Sequence, residues 1–498
     1  MERQTPRQQQ EHERRQIDLL RDLGVFLVAR GRACRRRPGS VTGGPAKLVP
    51  MSDKLERMRQ RLPVVTQFPK PKSRRALPLA KGEAPRPTLA VWELTLACDH
   101  QCLHCGPRAH RARPDELTTE EALRMVDELA DLGVGEVVLI GGEAYLRDDF
   151  LLVIRRCRER GMSVSMTTGG WGLTAERCAA AKEAGIRSIS VSIDGLADNH
   201  DFVRNRPGSW TRAFEALRHA KAAGIHIAAN TQINARTTPQ LGELLELLAA
   251  EGIFGWQIQF TMAHGNAADN PDLLVQPYML LDIYAELDRV VDRARQLGIQ
   301  IWPANNVGYF GAFEKKLRLD VLRGKFFSGC KAGIRTIGIE SNGELKSCPS
   351  LGGPTNLGGS WREHGLQALW ERSPEIGYTR HRTVDDLWGY CRECYYADTC
   401  RAGCTATAEP LMGRPGNNPY CLHRAQQIDA MGMRERLERV ATAEPIPFAN
   451  ALFRLIREPK DPQERARTGP VQVDEPRVSR VVEPYGPGRP VSTTDSPD

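Results

Sequence analysis

The sequence lacks any apolar run near the roughly 18 residues that a membrane helix needs. Its longest run near the start, "GVFLVA", sits among charges of both signs, so no bilayer span is expected. No secretory leader is evident, and the expected compartment is the cytoplasm, where thiols stay reduced. Aromatics are scarce at 6%, and they do not interleave with the arginines near the start, so nucleic acid is not an expected partner. Acidic charge is missing from one region only. Residues 1–88 carry 21 Lys and Arg against 8 Asp and Glu, whereas the remainder carries 48 against 53. The net charge of +8 therefore belongs to an arm, expected to be a basic, largely disordered extension with one helix over 16–30.

What is present is a rhythm. From residue 89, helical patterns end at a glycine and a short β-rich run follows, as in "GVGEVVLIGG", "GMSVSMTTGG", "GIRSISVSIDG", "GIHIAANTQIN", "GIFGWQIQFTM" and "GIQIWPANN". Glycine just past a helix end supplies the left-handed C′ conformation. In "LTTEEALRMVDELADLG", Thr118 and Glu121 form a capping box ahead of a helical apolar spacing. Pro239 is expected at a first helical position. With "VWELTL" first, there are about seven strands, and six are placed at 91–96, 136–141, 163–168, 188–193, 226–233 and 256–261. Such alternation predicts an α/β fold with a parallel sheet, a partial (β/α)6 TIM-like barrel over 89–302. A linker is expected over 303–324 and a small cysteine-rich domain over 325–425. A C-terminal helix and disordered tail are expected over 426–498.

Cysteines are clustered rather than paired. Cys98, Cys102 and Cys105 are spaced C-x3-C-x2-C directly after the first strand. Three thiols are one short of a closed tetrahedral site, and His100, His104 or His110 could complete a structural zinc site. Other unusual residues gather at the same strand ends: Gly141-Gly142-Glu143 after the second, "TTGG" after the third, Ser192 and Asp194-Gly195 after the fourth, and Asn230 and Asn234 on and just past the fifth. Strand C-termini are where barrel sites form.

The thiol triad followed by Gly-Gly-Glu resembles the radical S-adenosylmethionine (radical SAM) superfamily. The resemblance implies that Cys98, Cys102 and Cys105 hold a [4Fe–4S] cluster whose fourth iron binds exchangeable S-adenosylmethionine. Reductive cleavage of that cofactor would give a 5′-deoxyadenosyl radical that takes a hydrogen atom from substrate. Gly141, Gly142 and Glu143 would bind its amino group. Ser192, with Arg204 or Arg212, would meet its carboxylate, Asn230 the ribose, and His104 the adenine.

A second set follows: Cys330, Cys348, then Cys391, Cys394, Cys400, Cys404 and Cys421. "CKAGIRTIGIESNGELKSCPS" also predicts a hairpin turning at Asn342-Gly343. The seven resemble the SPASM domain of peptide-modifying radical SAM enzymes. That resemblance implies two auxiliary clusters, [4Fe–4S] in type, one on Cys391, Cys394, Cys400 and Cys421 and one on Cys330, Cys348 and Cys404. With no eighth cysteine nearby, the latter would keep an open iron or a non-cysteine ligand. A pair of zinc ribbons is the alternative. Cys157 and Cys178 fall in helical patterns and are expected to pack as small apolar residues, and Cys34 is left over. His264, Tyr309 and Phe310 are candidates to face substrate, with buried packing as the competing expectation.

The expected function is that of a radical SAM/SPASM oxidoreductase and maturase acting on a ribosomally made peptide or a protein, giving a crosslinked, oxidised or epimerised residue. Expected partners are that precursor, an electron donor such as flavodoxin or ferredoxin, and a separate peptide-recognition protein. Oxidation of a Cys or Ser in a folded protein, as in sulfatase maturation, is an alternative, as is tailoring of a cofactor precursor. A non-catalytic iron–sulfur electron carrier is a third.

Overall fold

Short β-rich runs that follow helix-ending glycines become strands. The computed structural model describes residues 83–322 and 326–474. Cys34, the expected helix over 16–30 and most of the basic arm lie outside the described residues. Seven strands come from the rhythm: β1 (Leu89–Glu93), β2 (Glu136–Ile140), β3 (Ser163–Thr168), β4 (Ser188–Ser192), β5 (His226–Ile233), β6 (Gly255–Phe260) and β7 (Gln300–Pro303). Each pairs in parallel with the next. Between them run α1 (Thr119–Leu132), α2 (Phe150–Glu159), α3 (Ala175–Ala184), α4 (Ala197–Arg204), α5 (Ser209–Ala222), α6 (Leu241–Glu251) and α7 (Leu280–Gln296). The capping box on α1 is present, with Glu121 N–H donating to Thr118 Oγ1 at 3.2 Å and Thr118 N–H to Glu121 Oε2 at 2.9 Å. Gly133 ends that helix at φ +91°. Pro239 instead sits in a 3-10 turn, Thr238–Gln240, that leads into α6.

β1 stops short of residue 96 for a local reason. Glu116 Oε1 accepts from the Leu96 N–H at 2.8 Å and from the Thr95 hydroxyl at 3.1 Å, which turns the chain out of the ladder and into the thiol loop.

The expected hairpin is present as β8 (Thr336–Ile339) and β9 (Glu344–Lys346), turning at Gly343, and β10 (Gly359–Ser360) follows. β8 pairs in parallel with β1, so the cysteine-rich region continues the barrel sheet in the order β10-β9-β8-β1-β2-β3-β4-β5-β6-β7. The boundary at residue 89 shifts as well. Arg86 and Thr88 donate backbone N–H groups to Ile334 and Arg335, and Arg335 pairs with Glu83 at 2.8 Å. The expected linker over 303–324 is packed chain within its described residues, 303–322: Tyr309, Phe310 and Leu317 are buried, and Glu314 and Arg318 form a buried ion pair at 2.6 Å.

The expected C-terminal disorder is corrected within the described residues. A helix, α8 (Leu422–Ala430), is followed by an antiparallel sheet of β11 (Met433–Ala441), β12 (Leu452–Pro459) and β13 (Val471–Asp474). Composition misleads here because the charges are partnered. Arg434 and Arg436 pair with Glu458, Arg454 with Glu438, and Arg457 with Glu435. Arg424 of α8, fully buried, meets both oxygens of Glu435 at 2.7 and 3.0 Å and fastens the sheet to the cysteine-rich region.

This pair fixes an acid limit. Burial alone would raise the Glu435 carboxyl, but Arg424 and Arg457 outweigh it and hold it below its ordinary 4.5. A depressed carboxyl stabilises the fold above its unfolded value and loses that contribution as pH falls through the folded value. Urea midpoints measured downward from pH 6 should therefore fall more steeply for the wild type than for Glu435→Gln. Parallel slopes would refute the assignment.

Candidate functional site

The thiol loop lies under the end of β2. Gly142 N–H donates to Thr95 O and Glu143 N–H to Ala97 O, both at 2.8 Å. The approach is so close that a Cβ on Gly141 would stand 2.2 Å from Thr95 O, and one on Gly142 would stand 2.2 Å from Ala97 O and 2.8 Å from the Cβ of Cys98. Gly141 also takes φ +149°. Both glycines are thus required by contact with the cysteine loop itself. Gly142→Ala should cost about 1–3 kcal/mol of stability through overpacking and lower iron uptake at the loop. Gly135→Ala, where φ is not left-handed and a Cβ would meet only Thr88 O at 3.9 Å, is the control. Equal iron content in the two variants would count against the packing argument.

Glu143 is buried and spoken for. Its Oε2 accepts from the Thr168 hydroxyl at 2.5 Å and its Oε1 from Gly169 N–H at 2.6 Å, tying the end of β2 to the end of β3. Burial, with Asp99 beside it, pushes its carboxyl up to about 8. A hydrogen-bonded chain continues from the loop. His100 Nδ1 lies 2.9 Å from Asp99 Oδ1, and its Nε2 lies 3.0 Å from Ser209 Oγ, which in turn lies 3.1 Å from His200 Nε2. Tyr145 donates to Asp99 Oδ2 at 2.7 Å. Cys98, Asp99, His100 and Glu143 lie close enough to suggest a mixed metal site, yet the imidazole nitrogens and carboxylate oxygens there already have these partners. His100 is therefore a poor fourth ligand for zinc.

The three thiols fit an iron–sulfur cluster. Burial pushes Cys102 up to about 12 and raises Cys98 and Cys105. As thiolates they need a cation that the loop's own residues supply only in part, and the iron of a cluster would provide it. Backbone N–H groups of His100 and Ala109 point at Cys98 Sγ and Cys105 Sγ at 3.4 and 3.3 Å.

The other expected residues divide. Ser192 and Asn230 are register partners at the end of β4 and on β5. Asn230 Oδ1 is buried without a hydrogen-bond partner, an acceptor suited to a hydroxyl donor. Arg204 is buried, with Nη2 2.6 Å from Asp194 Oδ2 and Nη1 3.8 Å from Cys102 Sγ. His104 is buried with Nε2 3.4 Å from the same carboxylate oxygen, and burial pushes its imidazole down to about 4. Arg212 does not join them. It is more than half exposed, pairs with Glu215 at 3.0 Å, and lies over the rim residue Trp171. His264, Tyr309 and Phe310 pack as buried side chains, His264 against Phe448 and Phe310 stacked on Tyr396 at 4.2 Å. Cys157 and Cys178 are buried on α2 and α3.

The seven later cysteines separate into two groups by mutual influence. The Cys404 thiol is raised by burial and then by the charges of Cys330 and Cys348. Cys400 is raised by burial and then by Cys421, Cys391 and Cys394. Tyr309 lies between the groups. Its hydroxyl accepts from Cys404 N–H at 2.9 Å, and its carbonyl accepts from Cys421 Sγ at 3.9 Å.

Sequence reasoning missed Asp99, Tyr145, His200 and Ser209, and it placed Asp194 at the site edge without giving it a role. Asp194 had a signal, an acid directly past a buried strand at the site edge, but "DG" reads equally as a turn.

Comparison with known proteins agrees with this geometry. A profile described as the radical SAM superfamily matches residues 92–235. The chain is 28% identical over 358 residues to an AdoMet-dependent heme synthase of Methanosarcina barkeri, covering 70% of this chain and 99% of that one. It is 29% identical over 348 residues to mycofactocin maturase MftC of Mycolicibacterium smegmatis, covering 68% and 83%. Among solved structures, Streptococcus suis SuiB bound to S-adenosylmethionine superposes with a TM-score of 0.54 at 18% identity, covering 68% of this chain and 76% of that one. A second structure of SuiB is bound to precursor peptide SuiA. The matched segment opens on β1 and closes just past β5, so it takes in the thiol loop and the glycine turn that lies over it, and this chain carries a radical SAM domain.

Proposed function

We propose that the chain is a peptide maturase: it cleaves S-adenosylmethionine reductively and takes a hydrogen atom from a residue of a ribosomally made peptide or a protein. The observation that carries this reading is the separation of seven cysteines into groups of four and three beside the radical SAM domain. A [4Fe–4S] cluster on Cys98, Cys102 and Cys105, with its cofactor, supplies the radical. The residues of this chain do the rest. Gly141 and Gly142 let the β2 turn close over the loop, Asn230 offers its Oδ1 to a ribose hydroxyl, and Ser192 stands at the neighbouring strand end. Cys391, Cys394, Cys400 and Cys421 would close one auxiliary site. Cys330, Cys348 and Cys404 would hold a second with one position open. A small one-electron reductase of the flavodoxin or ferredoxin kind is the proposed donor, and cytoplasm the proposed location. Among the described residues no helix is long and apolar enough to cross a membrane.

The heme synthase relative favours a second reading, in which the substrate is a cofactor precursor such as an iron tetrapyrrole. Anaerobic turnover with peptides encoded beside the gene, against iron coproporphyrin, separates the two. A mass change in a peptide supports the first, and modification of the tetrapyrrole alone overturns it.

A further inference from the structure

Asp194 is fully buried at the site edge, just past the end of β4. Its Oδ1 accepts from Gln232 N–H of β5 at 2.8 Å, and its own N–H donates to His200 Nδ1 at 3.1 Å. These bonds fix the carboxylate. Its Oδ2 meets Arg204 Nη2 at 2.6 Å. Arg204 is the last residue of α4 and is buried, and its other amine reaches the Cys102 sulfur at 3.8 Å. The backbone closes the same gap: Leu103 N–H donates to Val203 O at 2.9 Å.

We propose that Asp194 is a positioning residue that holds the Arg204 guanidinium against the Cys102 thiolate, and that this pair sets the reduction potential of the cluster held by Cys98, Cys102 and Cys105. Reduction adds a negative charge to the cluster. A buried cation at a ligand sulfur stabilises the reduced form and raises the potential. A carboxylate just behind that cation offsets part of the effect, because charges in a dry site act over longer range than in water. The pair is a fixed dipole with its positive end on Cys102. His104, with Nε2 3.4 Å from Oδ2, and His200 also face Asp194.

The two partners therefore have opposite effects. Arg204→Gln leaves an uncompensated carboxylate near the cluster and should lower its midpoint potential. Asp194→Asn leaves an uncompensated guanidinium and should raise it. The double variant should return toward the wild-type value. Arg204→Lys keeps the charge and should shift less than Arg204→Gln. The measurement is a redox titration of the full-length reconstituted protein followed by electron paramagnetic resonance, taking the signal that changes on adding S-adenosylmethionine. Shifts of opposite sign support the proposal. Shifts of the same sign, no shifts, or loss of the cluster from all four variants overturn it in favour of a purely structural pair. The inference rests on the radical SAM domain and not on the substrate. It fails on potentials, whereas the peptide reading fails on products.

Discussion

Cys102→Ala should abolish release of 5′-deoxyadenosine from S-adenosylmethionine. The thiol is buried beneath the loop, and Arg204 points at its sulfur. Two thiols cannot hold a cluster that must keep one iron open for its cofactor, so the whole cluster should go. Iron should fall from about 12 to about 8 atoms per chain, since three clusters of about four irons are expected and only one is touched. The test is anaerobic reconstitution, iron analysis and mass spectrometry of the nucleoside. Retained release by the variant would remove the radical site from this loop. Loss of release together with loss of all iron would mean that the variant fails to fold.

The second large effect is on stability. Arg424→Met should cost about 3–5 kcal/mol, because removing one partner of a buried ion pair leaves the other charge stranded. Arg457, 2.8 Å from Glu435, keeps some compensation, which favours the lower end. The same guanidinium also donates to Asn417 Oδ1 at 2.8 Å and lies 5.0 Å from the Tyr390 ring, next to Cys391. Replacing both charges, Arg424→Met with Glu435→Met, should recover much of the loss, since well-packed apolar pairs often match buried ion pairs. Chemical unfolding of the two single variants and the double gives the coupling energy. Additive losses would show that the two residues act independently. Limited proteolysis should also cut Arg424→Met at β11 before the wild type.

The parallel strands β2 to β7 were legible because a glycine ends the helix before each of them and a short β-rich run follows. β3 and β5 fall at their expected residues. The thiol triad was legible because spacing alone sets it on one loop. The C-terminal sheet was not. Alternation in "MRERLERVA" is masked by arginines that count as surface charge until their partners on the neighbouring strand are known. Arg212 failed for the reverse reason: type and distance from β4 suited it, but α5 turns it outward to Glu215. Asp194 and Ser209 matter through residues far along the chain, and pair-wise placement of that kind leaves no local pattern.

The bond between β1 and β8 bears on how this molecule can be taken apart. Domain excision assumes a flexible seam, whereas β8 of the cysteine-rich region is hydrogen-bonded to β1 of the barrel sheet. Cutting the chain near residue 324 would strip β8 from β1 and leave two raw strand edges, each a template for aggregation. The region should therefore not be portable as an autonomous module. It should be gained or lost together with the strand that feeds the thiol loop.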